Sequence, residues 1–199
     1  FKGALQIAFE HDNTLLIEKF IPGREFRIFI INDEVVGILH RVPANVTGDG
    51  VLNIGQLIDR KNEDPLRGKG YRTPLEKIRK GREEEMFLKQ QGMDFNTVPK
   101  EGEVVYLREN SNISTGGDSI DFTDDIDDSY KAIAVEAAKA LNVKITGLDM
   151  MIQDIHAPAT PDNYAIIEMN FNPAIHIHCY PFKGKNRHLN HKMIRALGF

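Results

Sequence analysis

Several things are scarce in this chain, and each scarcity removes a class of protein. Cys179 is its single cysteine, so no internal disulfide can form, and a reducing, cytoplasmic setting is the default expectation. No hydrophobic run approaches the roughly 20 residues that a membrane-spanning helix needs. Neither sign of charge dominates: 25 Lys and Arg against 29 Asp and Glu leave a net charge of −4. The basic residues are scattered and form no stripe, which argues against nucleic acid as a partner and leaves small anionic ligands open. Paired CxxC units, internal repeats and a signal-peptide design are all lacking. The first residue is Phe1, and the opening segment (Ala4, Leu5, Ile7, Ala8) is already helical in pattern. The chain therefore reads as part of a longer protein, with the missing portion expected on the N-terminal side.

What is present is ordinary globular material: 199 residues, 41% hydrophobic and 27% charged, enough for one substantial core. Strand-like runs are predicted at Thr14 to Phe20, Glu25 to Ile31 and Val35 to Arg41, separated by Pro22-Gly23 and Asn32-Asp33, as in a hairpin or meander. Asn53 caps a predicted short helix. The Gly-, Pro- and Arg-rich stretch "EDPLRGKGYRTPLEKIRKG" reads as a surface excursion. A helix from about Glu83 to Gln91 and a strand at Glu103 to Leu107 precede a polar stretch, "RENSNISTGGDSIDFTDDIDD", expected to be a long functional or mobile loop. Then follow a helix from Ser129 to Leu141 and strands at Val143 to Ile152 and Tyr164 to Asn170, and "HLNHKMIRALGF" closes as an amphipathic helix. Meander strands with separate helices predict an α+β fold of two layers around an antiparallel-rich sheet.

The chemistry concentrates in two of these strands. In "VKITGLDMMIQ", alternation puts Asp149 alone among apolar neighbours on the face of Ile145, Gly147 and Met151. In "AIIEMNFNPA", which reads as a buried strand, Ile166, Glu168 and Asn170 share one face while Ala165, Ile167 and Met169 share the other. A buried carboxylate needs a basic partner, backbone N–H donors or a metal ion. If the two strands pair, Asp149, Glu168 and Asn170 converge as three hard oxygen donors. Same-face residues lie roughly 6.6 Å apart along a strand, so a cation between them could reach oxygens at the ~2.1 Å of magnesium. Magnesium held by few protein ligands commonly has phosphates as its other partners. In "IEKFIPGREFR", Glu18 and Glu25 bracket the Pro-Gly turn, and Glu25 and Arg27 lead into the apolar face of Phe29 and Ile31. That is the rim of a cleft, or else a surface pair between Glu25 and Arg27.

Other features have plainer readings. His176, His178, Cys179, His188 and His191 allow a zinc site on spacing, with polar lining as the alternative. "DFTDDIDDS" departs from an EF-hand because Ile126 stands where Gly is required, so it reads as solvated surface and a helix cap. Tyr130, Ile133 and Ala137, together with Phe9, Phe26 and Phe29, are expected in the core.

At these residues the chain resembles the ATP-grasp ligases. "IEKFIPGRE" is similar to their hinge, which implies adenine contacts by Glu18, Lys19 and Ile21 and a ribose contact by Glu25. "GLDMM" and "IIEMNFNPA" resemble the family's metal strands, which implies that Asp149, Glu168 and Asn170 hold magnesium, or manganese in its place, against ATP. The strings "PGREFRIFIINDEVVGILHRVPANVTGDG", "GEVVYLRENSNISTGGDSIDFTDDI" and "NFNPAIHIHCYPFKGK" are similar to the C-terminal ATP-grasp module of bifunctional glutamate–cysteine ligase/glutathione synthetases, and somewhat less to cyanophycin synthetases. The resemblance covers essentially all 199 residues and implies one partial ATP-grasp domain, 1–199. It further implies small-molecule substrates, an acylphosphate mechanism, and a glutamate–cysteine ligase domain N-terminal in the same polypeptide. Arg27 and Arg41 are candidate carboxylate or phosphate clamps, and Asn112, Ser114 and Thr115 candidate substrate donors. Two departures stand out. The family's glycine-rich phosphate loop and phosphate-binding lysines are missing, so the isolated stretch is expected to be inactive and a non-catalytic nucleotide-binding module is the rival reading. Gly147 also stands where D-alanine ligases carry an arginine.

Overall fold

The structure, a computed structural model, describes residues 2–10, 12–17 and 19–199. Helix α1 (Lys2–Phe9) opens the chain. The predicted strand over Thr14 to Phe20 does not form: residues 14–17 and 19–20 have no regular structure. A β-rich composition makes a strand only where a partner edge is available, and these residues find none. Phe9 is likewise exposed, at 54%, not in the core.

The central sheet begins where Pro22-Gly23 delivers the chain to β1 (Arg24–Ile31). Gly23 has φ 140°, and a Cβ there would lie 2.6 Å from the Ile152 carbonyl, so the chain must pass this point without a side chain. β1 pairs antiparallel with β2 (Glu34–Val42) through an Asn32-Asp33 turn whose residues both take positive φ, 48° and 65°. Asn and Asp tolerate that conformation best after glycine. β8 (Ile145–Ile152) pairs with the other edge of β1, and β9 (Tyr164–Asn170) with β8. A fourth antiparallel partner, β7 (Asp118–Asp121), extends β2; it lies inside the stretch predicted to be a loop. The sheet order is β7-β2-β1-β8-β9.

Helix α4 (Asp128–Ala140), capped by the Asp127 side chain on the Ser129 amide, covers one face of this sheet. Its Tyr130, Ala134 and Ala138 pack on Phe26, Ile28, Ile30, Ile38, Leu148 and Met150, with Ile133 and Ala137 at the margin. On the opposite face, Phe29, Ile31 and Val36 meet Cys179 and Leu189, brought by α5 (His176–Cys179) and α6 (Leu189–Ala196). These helices cover only one end of that face. The other end is where the charged residues stand.

Between β2 and β7 the chain builds a small lobe with its own core of Ala44, Val46, Ile54, Leu57, Ile58, Leu88 and Leu107. It comprises β3 (Asn45–Thr47) paired with β6 (Val104–Tyr106), helices α2 (Ile54–Lys61) and α3 (Arg82–Gln90), and a short parallel pair, β4 (Arg67–Gly68) and β5 (Leu75–Glu76). Asn53 caps α2 through a full capping box with Gln56. The segment around Arg67 is more than a surface excursion. The Arg67 side chain is buried and pairs with Asp118, which also accepts from Lys61 (2.7 Å) and Asn45 (3.0 Å). These bonds tie the lobe to β7. No helix among the described residues is long and apolar enough to cross a membrane.

Candidate functional site

Register decides what gathers at the open end of the sheet. Arg27 lies opposite Asp149, and Asp149 opposite Glu168. Directly paired residues share a face, so the three form a row across β1, β8 and β9, with Asn170 next along β9, opposite Gly147. The strand alternation read from sequence needs one correction. β9 is an edge strand, exposed at Ile166, Ile167 and Glu168, and a bulge between Asp149 and Met150 leaves Ile167 unpaired. Ile166 therefore pairs with core-facing Met150, while Ala165, opposite Met151, joins the Glu168 face. Extra residues of this kind commonly re-aim side chains beside active sites.

Asp149 is the hub. It is only 2% exposed and accepts from Nε and Nη2 of Arg27, the latter at 2.8 Å, and from Nη2 of Arg41 at 3.1 Å. Burial alone would raise its carboxyl, but the Arg27 hydrogen bonds and the charges of Arg41 and Arg27 hold it below the ordinary value. For Asp149, the arginine partnership weighed against a metal is thus present. Arg41 also pairs with Glu25, whose other oxygen accepts from Ser111. The surface pair expected between Glu25 and Arg27 is replaced by these two, because Arg27 turns toward β8 and Arg41 reaches in from β2. His40, whose pKa burial and Arg24 lower to about 4, is neutral. Its Nδ1–H donates to the Glu25 carbonyl at 3.0 Å and so fixes the backbone that presents that carboxylate.

The reach of Arg27 depends on Gly147. A Cβ at that position would lie 3.0 Å from Arg27 Cδ and 2.8 Å from Pro173 Cβ. The guanidinium side chain fills the space a larger residue would take.

Asp149, Glu168 and Asn170 present side-chain oxygens from neighbouring strands. Three hydrogen bonds use three of the roughly four lone-pair sites of the Asp149 carboxylate. Glu168 is exposed and takes one bond, from Asn170 Nδ2 at 2.9 Å, which leaves the Asn170 side-chain oxygen unused by that contact. Two carboxylates directly opposite each other repel unless a positive charge lies between them. Counting Glu25, Asp149 and Glu168 against two guanidiniums, the cluster carries an excess negative charge.

Two cavities meet at this cluster. One of about 640 Å³ is bordered by Glu25, Arg41, Met151, Arg108, Ser111 and Asn112. The other, about 190 Å³, is bordered by Arg27, Arg41, Asn112, Ser114 and His176. Arg41 and Asn112 line both. Such concave, largely apolar spaces with a few convergent polar groups are the usual form of small-ligand sites.

No known family's sequence model matches the chain. Individual proteins do. The glutathione biosynthesis bifunctional protein GshAB of Desulfotalea psychrophila is 63% identical over all 199 residues, which is 26% of that protein. Its counterpart in Clostridium perfringens is 59% identical over 194 residues, 98% of this chain and 25% of that protein. A crystal structure of a bifunctional glutathione synthetase from Pasteurella multocida superposes with a TM-score of 0.84 at 46% identity, covering 98% of this chain and 27% of that one. The chain is thus closely similar to one segment of these proteins. It spans about a quarter of the length of the curated relatives it matches. Its architecture is that of the matching part of the Pasteurella multocida synthetase.

Within that framework the remaining candidates can be placed. Glu18 lies outside the described residues. Lys19, exposed, and Ile21, half-buried, precede β1 without regular structure. Asn112 and Ser114 face the cavities, whereas the Thr115 hydroxyl is occupied within its own loop, donating toward Asn110 and the Asn112 carbonyl. Among the described residues no group of three His, Cys, Asp or Glu is placed to hold a metal; His188, at the cap of α6, meets His191 of its first turn edge-on, while His178 packs against Phe29. Residues that sequence reasoning missed around these cavities are Ser111, Arg108 and His40, whereas His176 reads from sequence as a zinc candidate or polar lining. Only Ser111 carried a signal, standing within the "NSNISTGG" stretch; the others depend on tertiary placement.

Proposed function

We propose that this chain carries ligation chemistry of a glutathione synthetase: ATP activates the glycyl-accepting carboxylate of γ-glutamylcysteine as an acylphosphate, and the amine of glycine then displaces phosphate. One observation carries the reading: the Arg27 and Arg41 guanidiniums that border the cavities are both held by Asp149, which lies in register with Glu168 on the next strand. Phosphoryl transfer demands little covalent chemistry from a protein and much positioning and charge stabilisation, and this cluster is built for both.

Arg27 and Arg41 are the groups that would align the attacking carboxylate with the γ-phosphate, since a planar guanidinium matches either anion in two-point fashion. Asp149 holds both forks at fixed positions, so their orientation is set before substrate arrives. Glu25 would accept from the ribose hydroxyls, with Lys19 and Ile21 offering backbone contacts to adenine. Asp149, Glu168 and Asn170 would hold Mg²⁺, or Mn²⁺ in its place, which supplies neutralisation of the crowded phosphate charge. The larger cavity, with Glu25, Arg41 and Asn112 on its walls, would take the dipeptide beside the ribose, and Asn112 stands where dipeptide and acceptor would meet.

A cyanophycin-type ligase shares the acylphosphate chemistry but must admit the end of a polymer. The small volume of the second cavity favours a small acceptor. Because the matched relatives are about four times longer and bifunctional, we further propose that the whole protein carries a glutamate–cysteine ligase part, with small-molecule substrates, in the cytoplasm, where Cys179 stays a thiol. The test is phosphate release by the full-length protein. Turnover that requires γ-glutamylcysteine and glycine together supports the reading. Turnover only with a cyanophycin primer and aspartate or arginine would overturn the substrate, and none with either would favour the non-catalytic nucleotide-binding module.

A further inference from the structure

The smaller cavity contains one feature that phosphate and carboxylate binding leave unexplained. His176, at the start of α5, lines it together with Arg27 and Arg41. Both guanidiniums carry permanent positive charge. The cavity's other acid–base groups are Glu76 and Tyr71. The Glu76 carboxylate is committed to the backbone amides of Gly70 (3.2 Å) and Tyr71 (2.6 Å), and Tyr71 is largely exposed to solvent. The neighbouring His178 is fully buried behind the cavity wall with neither ring nitrogen hydrogen-bonded, so it cannot exchange protons with a ligand. His176 is half-buried, reaches the cavity, and is the base left to serve it.

A chemical need matches this placement. An amino acid acceptor enters as an ammonium, which has no lone pair to attack with. A volume of about 190 Å³ corresponds to roughly six waters at about 30 Å³ each, close to the heavy-atom content of glycine. We propose, resting on the ligase reading above, that His176 is the general base that takes the proton from the acceptor's ammonium group in this cavity. The nitrogen lone pair so freed attacks the acylphosphate carbonyl. A C–N bond forms, the C–O bond to phosphorus's bridging oxygen breaks, and phosphate leaves with that electron pair, taking up the second proton that the nitrogen sheds as the amide forms. The first proton passes from His176 to solvent.

Two aspects of the setting favour this role. Partial burial lowers the pKa of His176 below the ordinary imidazole value, so the ring is neutral and able to accept at physiological pH. Arg27 and Arg41 face the same cavity and repel an ammonium group, which favours the acceptor's nitrogen lying on the imidazole side.

The experiment uses the full-length protein with His176→Gln, which keeps size and polarity and removes the base. Acceptors are compared: glycine, a protonated amine at pH 7, and hydroxylamine, which is largely neutral there and needs no base. The expected result is a loss in kcat/KM for glycine of about 10²-fold or more, the usual worth of a general base. Hydroxamate formation from γ-glutamylcysteine and ATP should remain within about twofold of the unsubstituted protein; that second reaction also certifies that the variant is folded and still makes the acylphosphate. Equal losses with both acceptors, or no loss with glycine, would overturn the role of His176. Absence of ATP-dependent hydroxamate in the unsubstituted protein would instead sink the ligase reading on which the proposal rests.

Discussion

Replacing Gly147 by alanine adds a single methyl group that touches no ligand, yet its cost should appear in catalysis. The added carbon would lie 3.0 Å from Arg27 Cδ and 2.8 Å from Pro173 Cβ, both tighter than normal packing. Proline cannot yield readily, whereas the Arg27 side chain can, and its movement takes the guanidinium off Asp149. Overpacking of this kind costs about 1–3 kcal/mol of stability. A displacement near 1 Å in a positioning group can cost about 10²-fold in rate, which is roughly 2.7 kcal/mol of barrier. The assay is glutathione formation by the full-length protein at saturating substrates, so that kcat is read. The decisive comparison is a double-mutant cycle with Arg27→Ala. If the glycine exists to make room for the arginine, Gly147→Ala in the Arg27→Ala background should cost less than about tenfold, because only the Pro173 contact remains. The coupling would then be at least about 1.4 kcal/mol. A full 10²-fold loss in both backgrounds would refute the reasoning, and so would an unaltered kcat in the single variant.

Three further outcomes are expected. Glu168→Gln should abolish turnover, seen by phosphate release, while circular dichroism stays unchanged, since Glu168 stands exposed on an edge strand. Asn53→Ala removes the capping box of α2 and should cost about 1 kcal/mol, read as roughly fivefold faster hydrogen exchange in that helix. At Asp121, burial pulls the carboxyl upward but Arg187 and Thr123 outweigh it, so its native pKa lies below the unfolded 3.8. The Arg187 pairing therefore stabilises fully above the unfolded value and is lost as pH falls through the depressed native one. Arg187→Met should consequently lower the urea midpoint at pH 7, with the gap to the unsubstituted protein closing in strong acid.

Much of this arrangement was legible in the residues. Asn32-Asp33 announced its hairpin, Asn53 its helix, and the strands carrying Asp149 and Glu168 were found with nearly correct bounds. Those features are local, and local propensity speaks for them. What escaped notice depends on partners distant in sequence. β7 reads as loop because "DSID" has no apolar alternation; it is a strand because β2 offers an edge and because Lys61, Arg67 and Asn45 compensate Asp118. β9 reads as buried from "AIIEM", yet it is an exposed edge, and no pattern in its letters reveals the bulge at Ile167. Likewise, Arg27 and Arg41 could be nominated as clamps from sequence, but only the register shows that Asp149 holds both.

The insertion of the small lobe between β2 and β7 also bears on how the sheet is assembled during synthesis. Val42 must find Asp118 across a long intervening chain, a closure whose entropic cost grows only slowly with length, about 0.6 kcal/mol per doubling. The lobe shortens the search, because the amide of Leu107 bonds the carbonyl of Ala44 at 2.7 Å and so brings the ends of the insertion together before β7 arrives. β1 has no such help on its other side. Its partner β8 is made only after the whole lobe and α4, and at about 5–20 residues per second a nascent β1 waits on the order of ten seconds with one edge open. An open apolar edge invites pairing with other chains. Arg27, in the middle of "REFRIFII", interrupts that edge with a charge, and so guards the growing chain before β8 arrives to give it Asp149.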